Sequence, residues 1–403
     1  MSPEELFRRE LDDAPSAFWV DRPDGTALIG SADVVATFRV GDGVRIGGEQ
    51  VSEDLWAWLD GLAEEGGTWV GYLGYGVRAL TRGGPARPRP SNTPDALWMR
   101  ADRLIEVEAP RAEPDRSAEG ALVWMTSRDR EEYLADIAVV KEHLARGESY
   151  EVCLTRTVST TAPADPLALF LRLRTTSPTG RSVFLRHGQL AIASATPEEF
   201  LTVTADGRVS SSPIKGTAAR DPDDPAADAA AALGLTTDAK TRAENLMIVD
   251  LVRNDLNRVC VPGTVTVPRF LAVESYATVH QLVSTVTGRL SPASTRVDAI
   301  RAAFPPGSMT GAPKERTMQI IDELEPQSRG VYSGVIGVLG ADGSADLRVV
   351  IRTAVMRGAT ATIGTGGAIT WASDPEEEWA ETELKAWVVM AALADVRKNE
   401  AHG

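Results

Sequence analysis

One short stretch, Ser211-Ser212-Pro213-Ile214-Lys215-Gly216-Thr217, sets a single lysine between a proline and a glycine. The proline fixes one backbone angle, and the glycine lets the chain approach whatever the lysine touches. A lysine held this way at a strand end can be desolvated and lose its proton, which is what a lysine nucleophile or base needs. The same seven residues also suit a solvated turn lysine. Carboxylates of interest lie on two helical segments. Glu244 is near the start of one, and Glu378 and Glu381, three apart and so on one face, are near the start of another. Carboxylates from two helices can hold Mg2+, with waters and a substrate carboxylate completing the octahedron. Read alone, these are also solvated helix faces, and Glu381 with Lys385 is an ordinary i,i+4 ion pair. Gly307-Ser308-Met309-Thr310-Gly311-Ala312 offers amide groups at a helix N-terminus, a place suited to a carboxylate or phosphate.

These residues must be positioned by a mixture of strands and helices. Asp24-Gly25 and Asp206-Gly207 sit between alternating segments and predict hairpins. Ser127 reads as the N-cap of a helix whose stripe is Leu134, Ile137, Val140 and Leu144. The segment 221–234 reads as a loop or a short weak helix. Helices are expected over 239–254, from Pro313 to Leu324, and from Asp374 to about Lys398. A single strand is expected over 346–356.

Composition narrows the function classes. A net charge of −15 argues against nucleic acid and anionic membrane as partners. No apolar run is long enough to span a membrane, and Met1-Ser2-Pro3-Glu4-Glu5 lacks the pattern of a signal peptide. The two cysteines, Cys153 and Cys260, have no metal-type spacing, and a reducing cytoplasm is the natural compartment.

Five motifs then appear in order. They are Pro213-Ile214-Lys215-Gly216-Thr217, the run from Ala243-Glu244-Asn245 to Asp255, Gly307 to Lys314, Ile351-Arg352-Thr353-Ala354, and Ser373 through Glu381 to Lys385. Together they resemble the chorismate-utilising family, which includes anthranilate, isochorismate, salicylate and aminodeoxychorismate synthases. The match covers roughly 127–395, with a weak extension through Gly71-Tyr72-Leu73-Gly74-Tyr75. The resemblance implies an α+β fold of the anthranilate synthase component I type, a two-layer antiparallel β-sheet core wrapped by helices. Residues 1–126 would be its β-rich N-terminal part and 127–395 its chorismate-binding catalytic region.

Within the family the lysine form resembles the aminodeoxychorismate synthases. Anthranilate synthases carry a small residue at the position of Lys215. Isochorismate and salicylate synthases place a water-activating lysine where this chain has Glu151. The resemblance therefore implies amination of chorismate at C4, with Lys215 attacking C2 and Glu198 as general acid/base. It implies Mg2+ held by Glu244, Glu378 and Glu381. Arg352, Lys385 and loop amides at Gly366, Gly367 and Ala368 would hold the substrate's carboxylates and enolpyruvyl chain, and Thr217, Ser308 and His280 would lie near the ring. For His280 a satisfied core histidine is the alternative reading. Two positions depart from the family pattern: Ala368 replaces a third glycine, and Thr241 stands where an acidic residue is common. Neither cysteine lies in a Gly-x-Cys-x-Gly turn, so a separate glutamine amidotransferase is expected to supply ammonia. The rivals are anthranilate synthase component I, 2-amino-2-deoxyisochorismate synthase, and an inactive subunit that activates a glutaminase.

Overall fold

A computed structural model describes residues 2–85, 88–112, 115, 122–161, 164–276 and 279–402. The N-terminal strands are β1 (Ser16–Asp21), β2 (Thr26–Arg39), β3 (Gly43–Ile46), β4 (Glu49–Ser52), β5 (Trp69–Leu73) and β6 (Ala96–Glu108). There follow β7 (Met125–Thr126), β8 (Glu151–Thr161), β9 (Val183–His187), β10 (Leu190–Ser194), β11 (Glu199–Val203), β12 (Arg208–Ser212) and β13 (Ile214–Ala219). The last strands are β14 (Thr266–Ser275), β15 (Val279–Arg289), β16 (Gly311–Ala312), β17 (Val335–Leu339), β18 (Ala345–Val349), β19 (Thr353–Arg357) and β20 (Thr360–Ile369). The helices are α1 (Pro3–Leu11), α2 (Leu55–Glu65), α3 (Arg130–Ala145), α4 (Pro166–Thr176), α5 (Pro225–Thr237), α6 (Ala239–Asn257), α7 (Arg296–Ala303), α8 (Lys314–Leu324) and α9 (Pro375–His402).

Pairing is antiparallel. From β8 it runs through β20, β19, β10, β9, β1, β2, β6, β5, β17, β18, β11 and β12 to β15. β13 continues beside β12 along β15, and β14 takes its other edge. Strands of the first 126 residues lie inside this path, since β1 pairs with β9 and β5 with β17.

The sheet folds back on itself as two layers. Phe18 and Leu185 from one limb meet Tyr72, Leu97 and Ile336 from the other in a shared core. Burying each such side chain contributes about 1.5–3 kcal/mol. α1, α4 and α9 cover one outer face, where Phe7, Phe170 and Val389 pack with Trp19 and Phe184. α2, α6 and α7 cover another through Leu59, Ile248 and Ile300. α3 and α8 pack Ile137, Val140 and Ile320 on Val152 and Leu154 of β8.

Four local expectations change. α3 is capped by Asp129 in a reciprocal box with Glu132, while the Ser127 hydroxyl accepts the Thr157 amide instead. Segment 221–234 contributes to a real helix, α5, because Asp224 caps it, Pro225 fits its first turn and alanines fill it. The single strand over 346–356 divides into β18 and β19, because Arg352 sits between them at φ 51° and breaks the ladder. α9 runs on to His402.

Candidate active site

Pro213 separates β12 from β13, and Lys215 lies in a bulge of β13. The register between β13 and β15 shifts between Ile214 and Thr217, where Gly216 takes φ 88°. A Cβ at Gly216 would lie 2.4 Å from Thr241 Cγ2 of α6, so glycine serves both the angle and the space. Lys215 is thereby turned inward and buried. Its Nζ donates to Glu151 Oε1 at 2.6 Å.

Glu151 opens β8 and is fully buried, paired opposite Ala312 of β16. Next to Ala312, Gly311 lies so close that a Cβ there would be 1.9 Å from the Glu151 carbonyl oxygen. Glu151 Oε2 has no hydrogen-bond partner among the described residues. Burial works to lower the Lys215 pKa, but the Glu151 and Glu244 carboxylates outweigh it and hold the amine above its ordinary value. The deprotonated amine expected from desolvation is therefore not the state of this site, and Lys215 stands as an ammonium in an ion pair.

Glu198 lies just before β11 and is buried, and its Oε1 accepts a 2.7 Å hydrogen bond from Ser308 Oγ. Burial pushes its carboxyl up to about 7, against the pull of Ser308, Lys215 and Lys385. The turn Gly307–Met309 thus delivers a side chain to a buried acid, but it does not offer the helix-start amides expected of it. The Met309 and Thr310 amides donate to the Pro306 and Gly307 carbonyls, Gly311–Ala312 form β16, and α8 begins only at Lys314.

The three acidic residues singled out on α6 and α9 come together around lysines. Burial raises the Glu244 carboxyl to about 7, while Lys215 draws it down and Glu151 up. Glu378 is buried. Its Oε1 accepts from Lys240 Nζ at 2.9 Å and from Ser373 Oγ at 2.6 Å, and its Oε2 has no partner among the described residues. Lys240 also reaches Glu244 at 4.0 Å. Glu381 pairs with Lys385 at 2.5 Å; burial opposes it, yet Lys385, Lys215 and Lys240 hold its carboxyl below the usual range. Among the described residues no three acidic, histidine or cysteine side chains form a ready metal-ligand group.

Arg352 has no ion-pair partner among the described residues, and burial lowers its pKa. A half-buried guanidinium without an ion-pair partner is a natural carboxylate receptor. Lys385 donates to the Gly366 carbonyl at 2.9 Å. Gly366, Gly367 and Ala368 are not in a loop. They lie in β20 opposite Thr155, Leu154 and Cys153, and the pairing of β20 with β19 stops at Ile363.

Two expected ring contacts are not gathered here. Thr217 is exposed, and among the described residues no hydrogen bond ties its side chain to the cluster. The His280 ring nitrogens are taken by Ser275 at 2.8 Å and Asp228 at 3.0 Å, so this is the satisfied histidine of the alternative reading. The sequence also left Glu151 and Lys240 without roles as partners. A carboxylate opening the apolar run Val152-Cys153-Leu154 was the available signal, because a buried strand carboxylate needs a cation.

Residues 15–391 match the family of chorismate binding enzymes. The chain is 44% identical over 363 residues to an aminodeoxychorismate synthase of Streptomyces griseus, covering 81% of this chain and 50% of that protein. It is 43% identical over 259 residues to aminodeoxychorismate synthase component 1 of Escherichia coli, covering 64% and 57% respectively. The chain thus spans about half the length of the curated relatives it matches. Its fold is similar to the crystal structure of anthranilate synthase component I from Streptococcus pneumoniae, with a TM-score of 0.78 and 25% identity over 96% of this chain and 97% of that one. A family match running over nearly the whole chain, on a fold shared with one of the enzymes the motifs resemble, makes this protein a member of the chorismate-binding enzyme family.

Proposed function

We propose that the chain aminates chorismate at C4, as an aminodeoxychorismate synthase component I acting through Lys215. The observation that carries this reading is a buried lysine on β13 sharing one site with a buried carboxyl, Glu198, whose pKa lies near neutrality. The names of the relatives support it. The Lys215 amine attacks C2 and the 4-hydroxyl departs, protonated by Glu198; ammonia then adds at C4 and releases the lysine. An acid with a pKa near 7 is half protonated at neutral pH, which suits both donating to the leaving hydroxyl and being reloaded. Arg352 and Lys385 hold the substrate's carboxylates.

Glu244, Glu378 and Glu381 are proposed to hold Mg2+. Their hard carboxylate oxygens suit that ion, and the buried, unpartnered Glu378 Oε2 leaves a donor for it. When bound, the cation would neutralise a substrate carboxylate that these acidic groups would otherwise repel. A separate glutamine amidotransferase is the proposed ammonia source, in keeping with the component naming of the Escherichia coli relative. Both cysteines are free and buried, which fits a reducing cytoplasm. Among the described residues no helix is long and apolar enough to cross a membrane.

Incubating the purified chain with chorismate, Mg2+ and an ammonium salt, with products identified by mass and chromatography, tests the reading. The expected product is 4-amino-4-deoxychorismate, and Lys215→Ala should reduce it by roughly 10³-fold or more. A 2-amino product from the wild-type chain, or no turnover at all, would overturn it.

A further inference from the structure

Lys215 enters the reaction as the wrong species. An ammonium has no lone pair, so its proton must move before the amine can attack. Among the described residues Lys215 has one ion-pair partner, Glu151, at 2.6 Å. Both groups are buried, so bulk water is a poor acceptor for that proton. Glu151 Oε2 is free of hydrogen bonds, so the carboxyl can take a proton and keep its contact with Nζ. Gly311 of β16, packed against the Glu151 backbone, fixes the strand that carries it.

We propose that Glu151 is a catalytic proton acceptor for the chorismate reaction, taking a proton from Lys215 Nζ as the amine attacks and returning it when the lysine is released. The inference rests on the C4 amination reading above.

The proton and electron balance closes. Lys215 ammonium and Glu151 carboxylate become amine and carboxylic acid. The amine's lone pair forms the bond to C2, the two ring double bonds shift toward C4, and the C4–O bond breaks. The departing oxygen takes the Glu198 proton and leaves as water. The adduct nitrogen is then a secondary ammonium and Glu198 a carboxylate. In the second half ammonia forms the bond to C4, the double bonds return, and the C2–N bond breaks to free a neutral lysine amine. Glu151 gives its proton back, which restores the ion pair, and Glu198 is reloaded from the product ammonium.

Other groups facing Lys215 do not fill this role. Glu244 from α6 and Glu381 from α9 act on it through charge alone, and Cys153 on β8 is a buried thiol. Glu198 before β11 is the acid for the leaving hydroxyl.

The test compares wild type, Glu151→Gln and Glu151→Asp, each checked by thermal melting. Chorismate, Mg2+ and ammonium are supplied from pH 6.5 to 9, and the chorismate-minus-water adduct on the chain is followed by intact mass in the absence of ammonium. The Gln variant keeps the shape and removes one of the two charges that hold the Lys215 pKa up. Glu244 remains, so Lys215 should stay an ammonium at pH 7 and must release its proton to solvent. Its rates of adduct formation and amination should fall about 100-fold at pH 7, and its ratio to wild type should recover about tenfold per pH unit. Using the ratio cancels the titration of Glu198, which both proteins share. The Asp variant should stay within about tenfold of wild type and keep the wild-type pH dependence. It carries the test alone if the Gln variant does not fold, and an altered pH dependence in it would then overturn the proposal. A Gln variant matching wild type in rate and pH profile removes Glu151 from the chemistry while leaving the amination reading intact. A wild-type chain that forms no adduct and no 4-amino product defeats the reading and this inference with it.

Discussion

Ser308 Oγ lies 2.7 Å from Glu198 Oε1, so a residue of the turn before α8 tunes a buried acid 110 positions away in sequence. The hydroxyl donates, and donation favours the charged carboxylate, so Ser308 lowers the Glu198 pKa that burial has raised. Ser308→Ala should therefore move the alkaline limb of the activity profile upward from about pH 7. A hydrogen bond to a charged group contributes about 1.5–3 kcal/mol, which corresponds to roughly one pH unit or more. A limb that stays put or moves down would exclude Glu198 as the titrating acid.

The same burial makes stability depend on pH. Glu198 and Glu244 both have folded pKa values near 7, above the usual carboxyl value of 4.5. A raised folded pKa means that their contribution is fully present below 4.5 and is lost as pH rises through 7. Glu244→Gln removes one of these groups. It should melt above wild type at pH 8, and the gap should close by pH 5. A gap independent of pH would show that the substitution acts through packing instead.

The hairpins β1–β2 and β11–β12 and the motif order were legible in the sequence because each rests on local signals: turn residues, alternation and glycine placement. Long-range pairings such as β1 with β9 and β5 with β17 were not. Five motifs brought Lys215, Ser308, Arg352 and the three helix glutamates into one expectation, to which the family resemblance added Glu198, and the structure brings Ser308 to Glu198 and a shared lysine network to the glutamates. What the sequence could not supply was who neutralises whom. The Lys215–Glu151 pair joins β13 to β8 across 64 positions, and Lys240–Glu378 joins α6 to α9 across 138. Such partners are set by packing alone, and they reverse the charge expected for Lys215. His280 shows the same limit, because its place in a strand says nothing of Asp228, which arrives from α5.

Lys240 makes a prediction about metal. Its ammonium reaches Glu378 and Glu244, two of the proposed Mg2+ ligands, and so competes with a cation for them. Lys240→Met keeps the length and removes the charge. Calorimetric titration with Mg2+ alone should then give binding about tenfold tighter, close to 1.4 kcal/mol. Weaker or unchanged binding would mean that Lys240 supports the site rather than opposing the ion.

Gly216 tests how far the position of Lys215 depends on the bulge. Its φ of 88° is unfavourable for any residue with a Cβ, by about 1–2 kcal/mol. A methyl group there also meets Thr241 Cγ2 at 2.4 Å and Leu235 Cδ2 at 3.2 Å. Gly216→Ala must therefore shift β13 or push the start of α6 away, and either movement draws Nζ from Glu151. Amination should fall well below wild type, with a smaller loss in melting temperature. Thr241→Ser removes Cγ2 and nothing else near Gly216, so adding it to Gly216→Ala should recover part of the rate while leaving the backbone strain. If Gly216→Ala aminates at the wild-type rate, the ion pair tolerates a displaced strand and the bulge is not what sets the lysine in place. If Thr241→Ser gives no recovery, the φ angle alone accounts for the loss.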